Sequence, residues 1–457
     1  MLNWIWAVML ALAVMCGALT GRMDAVTRAS VDSAKVAVEL AIGLVGAMAL
    51  WIGLMHALQQ AGFLKIVARV LEPVTRRIFP EVPSDHPAMS MMILNMTANM
   101  LGLANAATPF GLKAMIELDR LNPRRGTATD AMALFLAINT SNLALLPTGM
   151  IALRVSLGAE QAGSIWLPTL CATTVSTLVA IVIAKTLAPL PMFALRFDDG
   201  GAPSPGLEGP DDREEIDTKE AETLIAKDAP GATRPAQLAV SIMIIGIGVT
   251  LSCAVAGLWI DLQILGATPY VGEREFFSTV LEVVKTIAAE WLLALLAVAI
   301  VLFGLSRGVK VYDAVVEGGK EGFGVALRII PFLVAILVAV GMLRASGAID
   351  ILVSVLEPMT ALIGMPAEVL PMAILRTLSG NGAYAVAGEI MTTHGPDSLI
   401  GNIVSTMQGS TETTFYVLAL YFGVIGIRRV RHTLVACLVA DTAGVLAAVW
   451  FTRWFVS

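Results

Sequence analysis

The chain has 457 residues, of which 57% are hydrophobic and only 14% charged, with a mean hydropathy of +0.79 and a net charge of −6. A soluble core of this length is excluded by that balance, and the acid excess is confined to one hydrophilic stretch, with no basic patch that would point to nucleic acid. Cys16, Cys171, Cys253 and Cys437 stand singly in apolar segments, and His56, His86, His394 and His432 do not cluster. Core packing therefore suits the cysteines better than a disulfide framework or zinc site, and no metal or cofactor is expected.

A bilayer core needs about 20 mostly apolar residues per helix. Such segments fall at 3–20, 38–60, 130–152, 164–190, 237–259, 279–304, 323–343, 399–427 and 433–452, so the chain reads as an all-α polytopic membrane protein. The first of them could be a signal peptide, but it lacks a positive leading region and Arg22 and Arg28 follow it, so a retained helix is expected. Next comes Ala88 to Leu118, carrying Asn95, Thr97, Asn99, Gly102, Asn105, Thr108 and Pro109. It reads as two short helices joined by a Gly/Asn turn, entering and leaving on one side; a spanning helix kinked at glycine is the alternative. Irregular backbone survives at membrane depth only where protein or water satisfies its amides, so such a hairpin should line a cavity.

The segment at 130–152 is polar in its middle, with Asn139-Thr140-Ser141-Asn142 between Phe135 and Pro147. From 191 to 236 the chain turns Gly-, Pro- and acid-rich, as a solvated tether would. A second hairpin is expected at Pro366 to Ile390, with Pro371, Arg376, Ser379, Gly380, Asn381 and Gly382. A second polar run, Gln408-Gly409-Ser410-Thr411-Glu412-Thr413-Thr414, then precedes Phe415.

These correspondences are not accidental. Val31 to Pro73 can be laid on Val316 to Pro358 without a gap at an offset of 285, matching Lys35 with Lys320, Gly62 with Gly347 and Glu72-Pro73 with Glu357-Pro358. The two glutamates before prolines read as interfacial caps or hinges. Placing the polar runs together sets Asn139 opposite Gln408 and Asn142 opposite Thr411. Short loops bearing Lys65, Arg69, Arg76 and Arg77, then Arg120, Arg124 and Arg125, and later Arg307, Lys310, Arg428, Arg429 and Arg431 should be cytoplasmic, whereas the Trp259 to Phe277 loop has only Arg274 and should be external. On that orientation the copies at 38–60 and 323–343 cross in opposite senses, which predicts two inverted repeats with a site between them.

The candidate substrate- or ion-binding residues are the polar groups of these hairpins and runs: Asn95, Asn99, Asn105, Thr108, Asn139, Ser141, Asn142, Arg376, Ser379, Asn381, Gln408, Ser410, Thr411, Glu412 and Thr413. An acidic residue at a helix centre costs about 2.5–3.5 kcal/mol on insertion scales, which makes Glu412 the leading candidate. An ion pair with Arg376, or helix–helix hydrogen bonding through the threonines, is the competing structural reading. Asp441 and Glu290 are lesser candidates, for a proton or cation relay or for simple pairing.

Long motifs carry a family resemblance. Residues 1–190 resemble spore maturation protein A through Glu81-Val82-Pro83-Ser84-Asp85-His86-Pro87, the run from Leu101 to Met115, and Phe135-Leu136-Ala137-Ile138-Asn139-Thr140-Ser141. Residues 237–457 resemble spore maturation protein B through Glu317-Gly318-Gly319-Lys320-Glu321-Gly322-Phe323, Arg328-Ile329-Ile330-Pro331, Arg344-Ala345-Ser346-Gly347-Ala348 and the run from Met407 to Val417. The stretch 191–236 joins them. The resemblance implies two nucleoside-recognition, or gate, domains of a kind shared with nucleoside transporters and the ferrous-iron transporter membrane domain. Gln408 to Glu412 looks like the Gln-Thr-Glu hairpin motif of nucleoside transporters with two residues inserted. Iron-transporter gates use cysteine, and neither hairpin here has one.

The reading that results is an inner-membrane secondary transporter or gated permease for a small polar solute, nucleoside-like or similar, coupled to a proton or sodium ion. Its expected partners are the lipid bilayer, the solute and that ion, and a homo-oligomer is allowed. No enzyme is expected: a hydrolase using Ser410 or Thr411 with Glu412 would lack a positioned histidine, and no nucleophile elbow, Walker or HExxH motif is present. A structural or signalling membrane protein without transport remains the other alternative.

Overall fold

The computed structural model describes residues 2–193 and 291–456, with single positions 241, 243 and 248 between them. Nearly all of the expected linker and of the 237–259 segment, together with Glu290, lies outside the described residues. Helix α1 spans Leu2–Leu19. Helix α2, Met23–Gln60, and its counterpart α10, Val311–Ala345, begin well before the apolar windows at 38–60 and 323–343. Their extra turns carry exposed pairs such as Arg28–Asp24 at 2.9 Å and Lys320–Glu317 at 2.7 Å. Pairs at this spacing support a helix by a few tenths of a kcal/mol each, roughly 0.2–0.5. A hydropathy window sees only the part of such a helix that is apolar.

The long helices α2 and α10 pack on each other through small residues. A Cβ added at Gly53 would sit 2.4 Å from the Val315 carbonyl oxygen, one at Gly322 would sit 2.7 Å from the Ala49 Cα, and one at Gly341 would strike Ser33. Contact positions descend on α10 as they rise on α2, so the two run antiparallel. Each then turns sharply at a glycine in the left-handed region, Gly62 with φ 76° and Gly347 with φ 81°. The following helices are α3, Phe63–Ile78, and α11, Ala348–Ala361. At the second turn the axis bends by 73°. Only glycine enters that conformation without a steric penalty, which explains the matched pair.

Each half continues with two short helices. In the first, α4, Pro87–Met100, and α5, Ala104–Arg120, are joined at Gly102, φ 72°. In the second, α12, Leu370–Leu378, and α13, Gly380–His394, are separated by Ser379 alone, whose Oγ accepts from the Gly382 N–H. A broken helix follows in each. The first comprises α6, Asp130–Ser141, and α7, Thr148–Ser156. Helix α8, Trp166–Leu187, α9, Leu292–Ser306, and the second broken helix, α14, Leu399–Ser410, and α15, Thr414–Ile425, lead to α16, Thr433–Val456. Both α6 and α14 have 12 residues and open on a hydroxyl cap, Thr129 and Ser398. Helix α16 lies along α8, and both pack on α6 and α14 at the centre of the molecule.

Among the described residues, three helical stretches are long and apolar enough to cross a membrane, Met23–Gln60, Ala162–Leu187 and Thr433–Val456, with the bent pair Leu333–Ala345 and Ala348–Pro358 a fourth. The segments 130–152 and 399–427 are not continuous spans, because each is interrupted at its polar run. The glycine seam between α2 and α10 gives a direct expectation. Gly322→Val should lower stability by about 1–3 kcal/mol, the usual range for overpacking, as read from thermal unfolding of the purified protein in detergent.

Candidate functional site

The site is built where the two broken helices meet. Helix α6 stops as Asn142 leaves helical geometry at φ 1°, ψ 115°, and the chain stays irregular to Pro147. Helix α14 stops as Thr411 turns extended at φ −141°, ψ 164°. The Glu412 N–H of the second break donates to the Thr140 carbonyl at the end of α6, at 2.7 Å. Other freed groups are met by neighbours: the Leu145 N–H donates to the Met100 carbonyl at 2.9 Å, Trp166 Nε1 to the Leu145 carbonyl at 2.7 Å, and Thr177 Oγ1 to the Ser141 carbonyl at 3.1 Å. This is the accounting that buried backbone demands.

Each pair of short helices places a glycine against the break of its own half. A Cβ at Gly102 would lie 3.2 Å from the Leu146 carbonyl oxygen, and one at Gly380 would lie 2.8 Å from Thr413 Oγ1. Polar side chains fill the space between. Asn99 Nδ2 donates to Asn139 Oδ1 at 2.9 Å, Asn139 Nδ2 to the Phe135 carbonyl at 2.9 Å, and Asn142 Nδ2 to the Asn99 carbonyl at 3.4 Å. From the second half Gln408 Nε2 donates to the Gly380 carbonyl at 3.4 Å, and Arg376 Nη2 stands 3.7 Å from Glu412 Oε2. The Arg376 side chain is 5% exposed and that of Glu412 47%. A buried guanidinium thus anchors a carboxylate that faces outward.

The other predicted residues sit around this crossing in different roles. Asn95 Nδ2 donates to the Ala107 carbonyl at 2.7 Å and to Tyr421 Oη at 3.3 Å, tying α4 to α5 and α15. Ser141 and Ser410 bond back to Ala137 and Met407 on their own helices, and Ser379 is a helix cap. Thr411 and Thr413 are buried in the break, Asn381 is exposed, and Thr108 is partly buried with no bond to the crossing. Asn105 lies in the first turn of α5, and its side chain is outside the described residues.

Two arginines that the sequence reading did not assign to the site, Arg431 having served only to orient its loop, close the arrangement from opposite ends. Arg154, at the end of α7 and fully buried, donates to the Pro396 carbonyl at 2.6 Å, the Gln161 carbonyl at 3.1 Å, Ser164 Oγ at 3.2 Å and Asp397 Oδ1 at 2.9 Å. It thereby grips the loop that starts α14. Reciprocally, Arg431, beyond the end of α15, donates to the Ala128 carbonyl at 3.1 Å and Asp130 Oδ1 at 2.5 Å, gripping the start of α6. A short bridge between Thr127 and Arg429 reinforces this contact. Beside it the Glu81 carboxyl is pushed up, first by burial and then by Asp130. The start of each broken helix therefore lies by the end of the other, so the two run in opposite directions and cross at their breaks. The signal for Arg154 was present: it is the single charged residue between Asp130 and Glu160, inside an apolar stretch.

A family model described as Gate, nucleoside recognition, matches residues 41–156 and 326–428. Each matched span contains one pair of short helices and one broken helix. Spore maturation protein A of Bacillus subtilis (strain 168) is 38% identical over 185 residues, 40% of this chain and 94% of that protein. Spore maturation protein B of the same organism is 44% identical over 158 residues, 35% of this chain and 89% of that protein. The chain belongs to the spore maturation protein A/B family. Inner membrane protein YjiG of Escherichia coli (strain K12) is 30% identical over 84 residues, 18% of this chain and 55% of that protein. No solved structure matches the chain. With its apolar helices and these relatives, this member of the spore maturation protein A/B family is a multi-pass protein of the bacterial inner membrane.

The Arg154 side chain is fully buried, whereas that of Asp397 is 38% exposed, so removing the arginine leaves no buried charge but forfeits its charge-assisted hydrogen bonds, worth about 1.5–3 kcal/mol each. Arg154→Ala should lose stability by about that amount or more in thermal unfolding. Arg154→Lys should recover only part of it, since an ammonium cannot reach several acceptors in the planar fork that guanidinium provides.

Proposed function

We propose that this protein is a secondary transporter or gated permease, not an enzyme, which moves a small polar solute, nucleoside-like or similar, with a proton or sodium ion as driver. The observation that carries this reading is the crossing of two broken helices beside a half-exposed carboxylate, Glu412, held from within by buried Arg376. Discontinuous helices whose ends meet at a polar centre are how transporters expose half-helix termini and unwound carbonyls to a substrate. The amides of Asn99, Asn142 and Gln408 supply both donors and acceptors, which suits a solute bearing hydroxyls and ring nitrogens. The description of the matching family, nucleoside recognition, points the same way.

The opposite directions of α2 and α10, and of the two broken helices, support inverted repeats. If the repeats are inverted, single cysteines at Ser33 and Glu317 in a cysteine-free background will be labelled from opposite faces, Ser33 externally and Glu317 from the cytoplasm. Labelling from the same face overturns that topology.

The transport reading is tested by uptake of labelled nucleosides, amino acids and ferrous ion into proteoliposomes. Glu412→Gln keeps the shape and removes the charge. The amide oxygen of Gln still accepts from Arg376, so the variant should fold, and losing the charge-assisted part of the contact, about 1.5–3 kcal/mol, should lower flux or its ion dependence by tenfold or more. Asn142→Ala should weaken solute affinity while ion dependence is retained. A scaffold without transport is the second reading, favoured by the Arg376–Glu412 pair, which serves packing equally well; it expects no flux of any solute.

A further inference from the structure

We propose that Asp441 is the core of a binding site for one monovalent cation, a proton or a sodium ion, formed between α16 and the break of the second half. This deepens the transport reading by assigning the coupling ion to a place distinct from the Glu412 carboxylate.

Asp441 is 1% exposed, near the middle of the central helix pair α8 and α16. Its Oδ2 accepts a hydrogen bond from Thr414 Oγ1 at 2.7 Å, and its Oδ1 has no partner. Thr414 is the first residue of α15, so one carboxylate oxygen is met by a half-helix N-terminus while the other is left bare. Among the described residues no cationic side chain lies within ion-pair distance of it. The charged groups that face it are Arg376, from α12, and Glu412, from the break. Arg376 turns its Nη2 to Glu412. The helices α6 and α8 bring hydroxyls instead: Thr140 reaches Cys437, one turn before Asp441, and Ser176 Oγ donates to the Ala440 carbonyl at 2.9 Å.

A second buried hydroxyl-bearing residue of the same break packs against this part of α16. Thr411 is 2% exposed and its Oγ1 has no partner, while its methyl carbon would lie 2.6 Å from a Cβ at Gly444. Gly444 follows Asp441 by three residues and so shares its helix face. An anionic carboxylate with one hydrogen bond and no counter-charge within ion-pair distance is not a stable resident of a bilayer interior; it takes up a cation. Thr411 and Thr414 also bracket Glu412 in the chain. Occupancy of the Asp441 site therefore sets the conformation of the short extended segment that presents the proposed solute carboxylate, which is the requirement for coupling two ligands at separate sites.

The test is binding to the purified full chain in lipid nanodiscs, measured without transport. For sodium, saturable uptake of radioactive sodium should be lost in Asp441→Asn and weakened on the order of tenfold in Thr411→Val, the equivalent of one lost hydroxyl contact. For a proton, infrared difference spectra should show a protonated-carboxyl stretching band that is indifferent to sodium, absent from Asp441→Asn and displaced in Asp441→Glu. Should Asp441→Asn fail to fold, Thr411→Val and Asp441→Glu carry the comparison. Absence of both signals from the wild type overturns the proposal, as does persistence in Asp441→Asn of whichever signal appears. Cation binding without solute flux leaves this site standing and removes only the transport reading, whereas flux with neither cation signal does the reverse.

Discussion

Main chain that leaves a helix inside a membrane has no water to bond, and the hydrogen bond from the Glu412 N–H to the Thr140 carbonyl shows how this fold meets that constraint. Neither broken helix completes its own accounting. One break supplies the donor and the other the acceptor, so the halves can be irregular only together. From this follow the positions of the surrounding elements: Met100, at the end of α4, bonds the first break, Trp166 and Thr177 of α8 cover it, and Thr414 reaches across to α16. The glycines at 102 and 380 are where the short helices come close enough to the breaks that a side chain would intrude.

The two arginine grips extend the same reciprocity to the ends of the broken helices. Arg154 belongs to the first half and holds the start of α14; Arg431 belongs to the second and holds the start of α6. Arg431 adopts φ 51°, a left-handed conformation that a branched-free but bulky side chain takes only under restraint, and its bonds to Phe193, Ala128 and Asp130 provide it. The grips hold opposite ends of an antiparallel pair, so each broken helix is fixed at its outer end by one partner and at its inner end by the crossing. The half-exposed Glu412 sits where that arrangement leaves polar atoms toward the outside.

Much of this was legible in the residues. Apolar windows located α1, α8 and α16 to within a few positions, because those helices are apolar along most of their length. The interruption at Gly102 followed from composition, and the polar runs at 139–142 and 408–414 marked the breaks. What hydropathy could not see was the charged leading turns of α2 and α10, where i,i+4 and i,i+3 ion pairs and tertiary packing support the helix. Nor could it tell which polar groups would be spent locally: Ser141 and Ser410 look like site residues in a linear reading, but a serine near a helix end readily bonds back one turn. Asp441 was visible as a lone acid. Its relation to Thr414, 27 residues away on another element, was a matter of tertiary geometry alone.

The separation of partners along the chain has a further consequence, for biogenesis. The acceptors of Arg154 at Pro396 and Asp397 lie 242 and 243 residues further on. At about 5–20 residues per second, the guanidinium is made roughly 10–50 s before its partners exist. During that interval an arginine destined for complete burial has only the Gln161 carbonyl and Ser164 Oγ of its own half to bond, and the Thr140 carbonyl stands open. The remaining bonds of Arg154 form only when the loop before α14 arrives. Insertion and folding are thus separate events for this chain, and the last of the second half to emerge decides when the first half is finished.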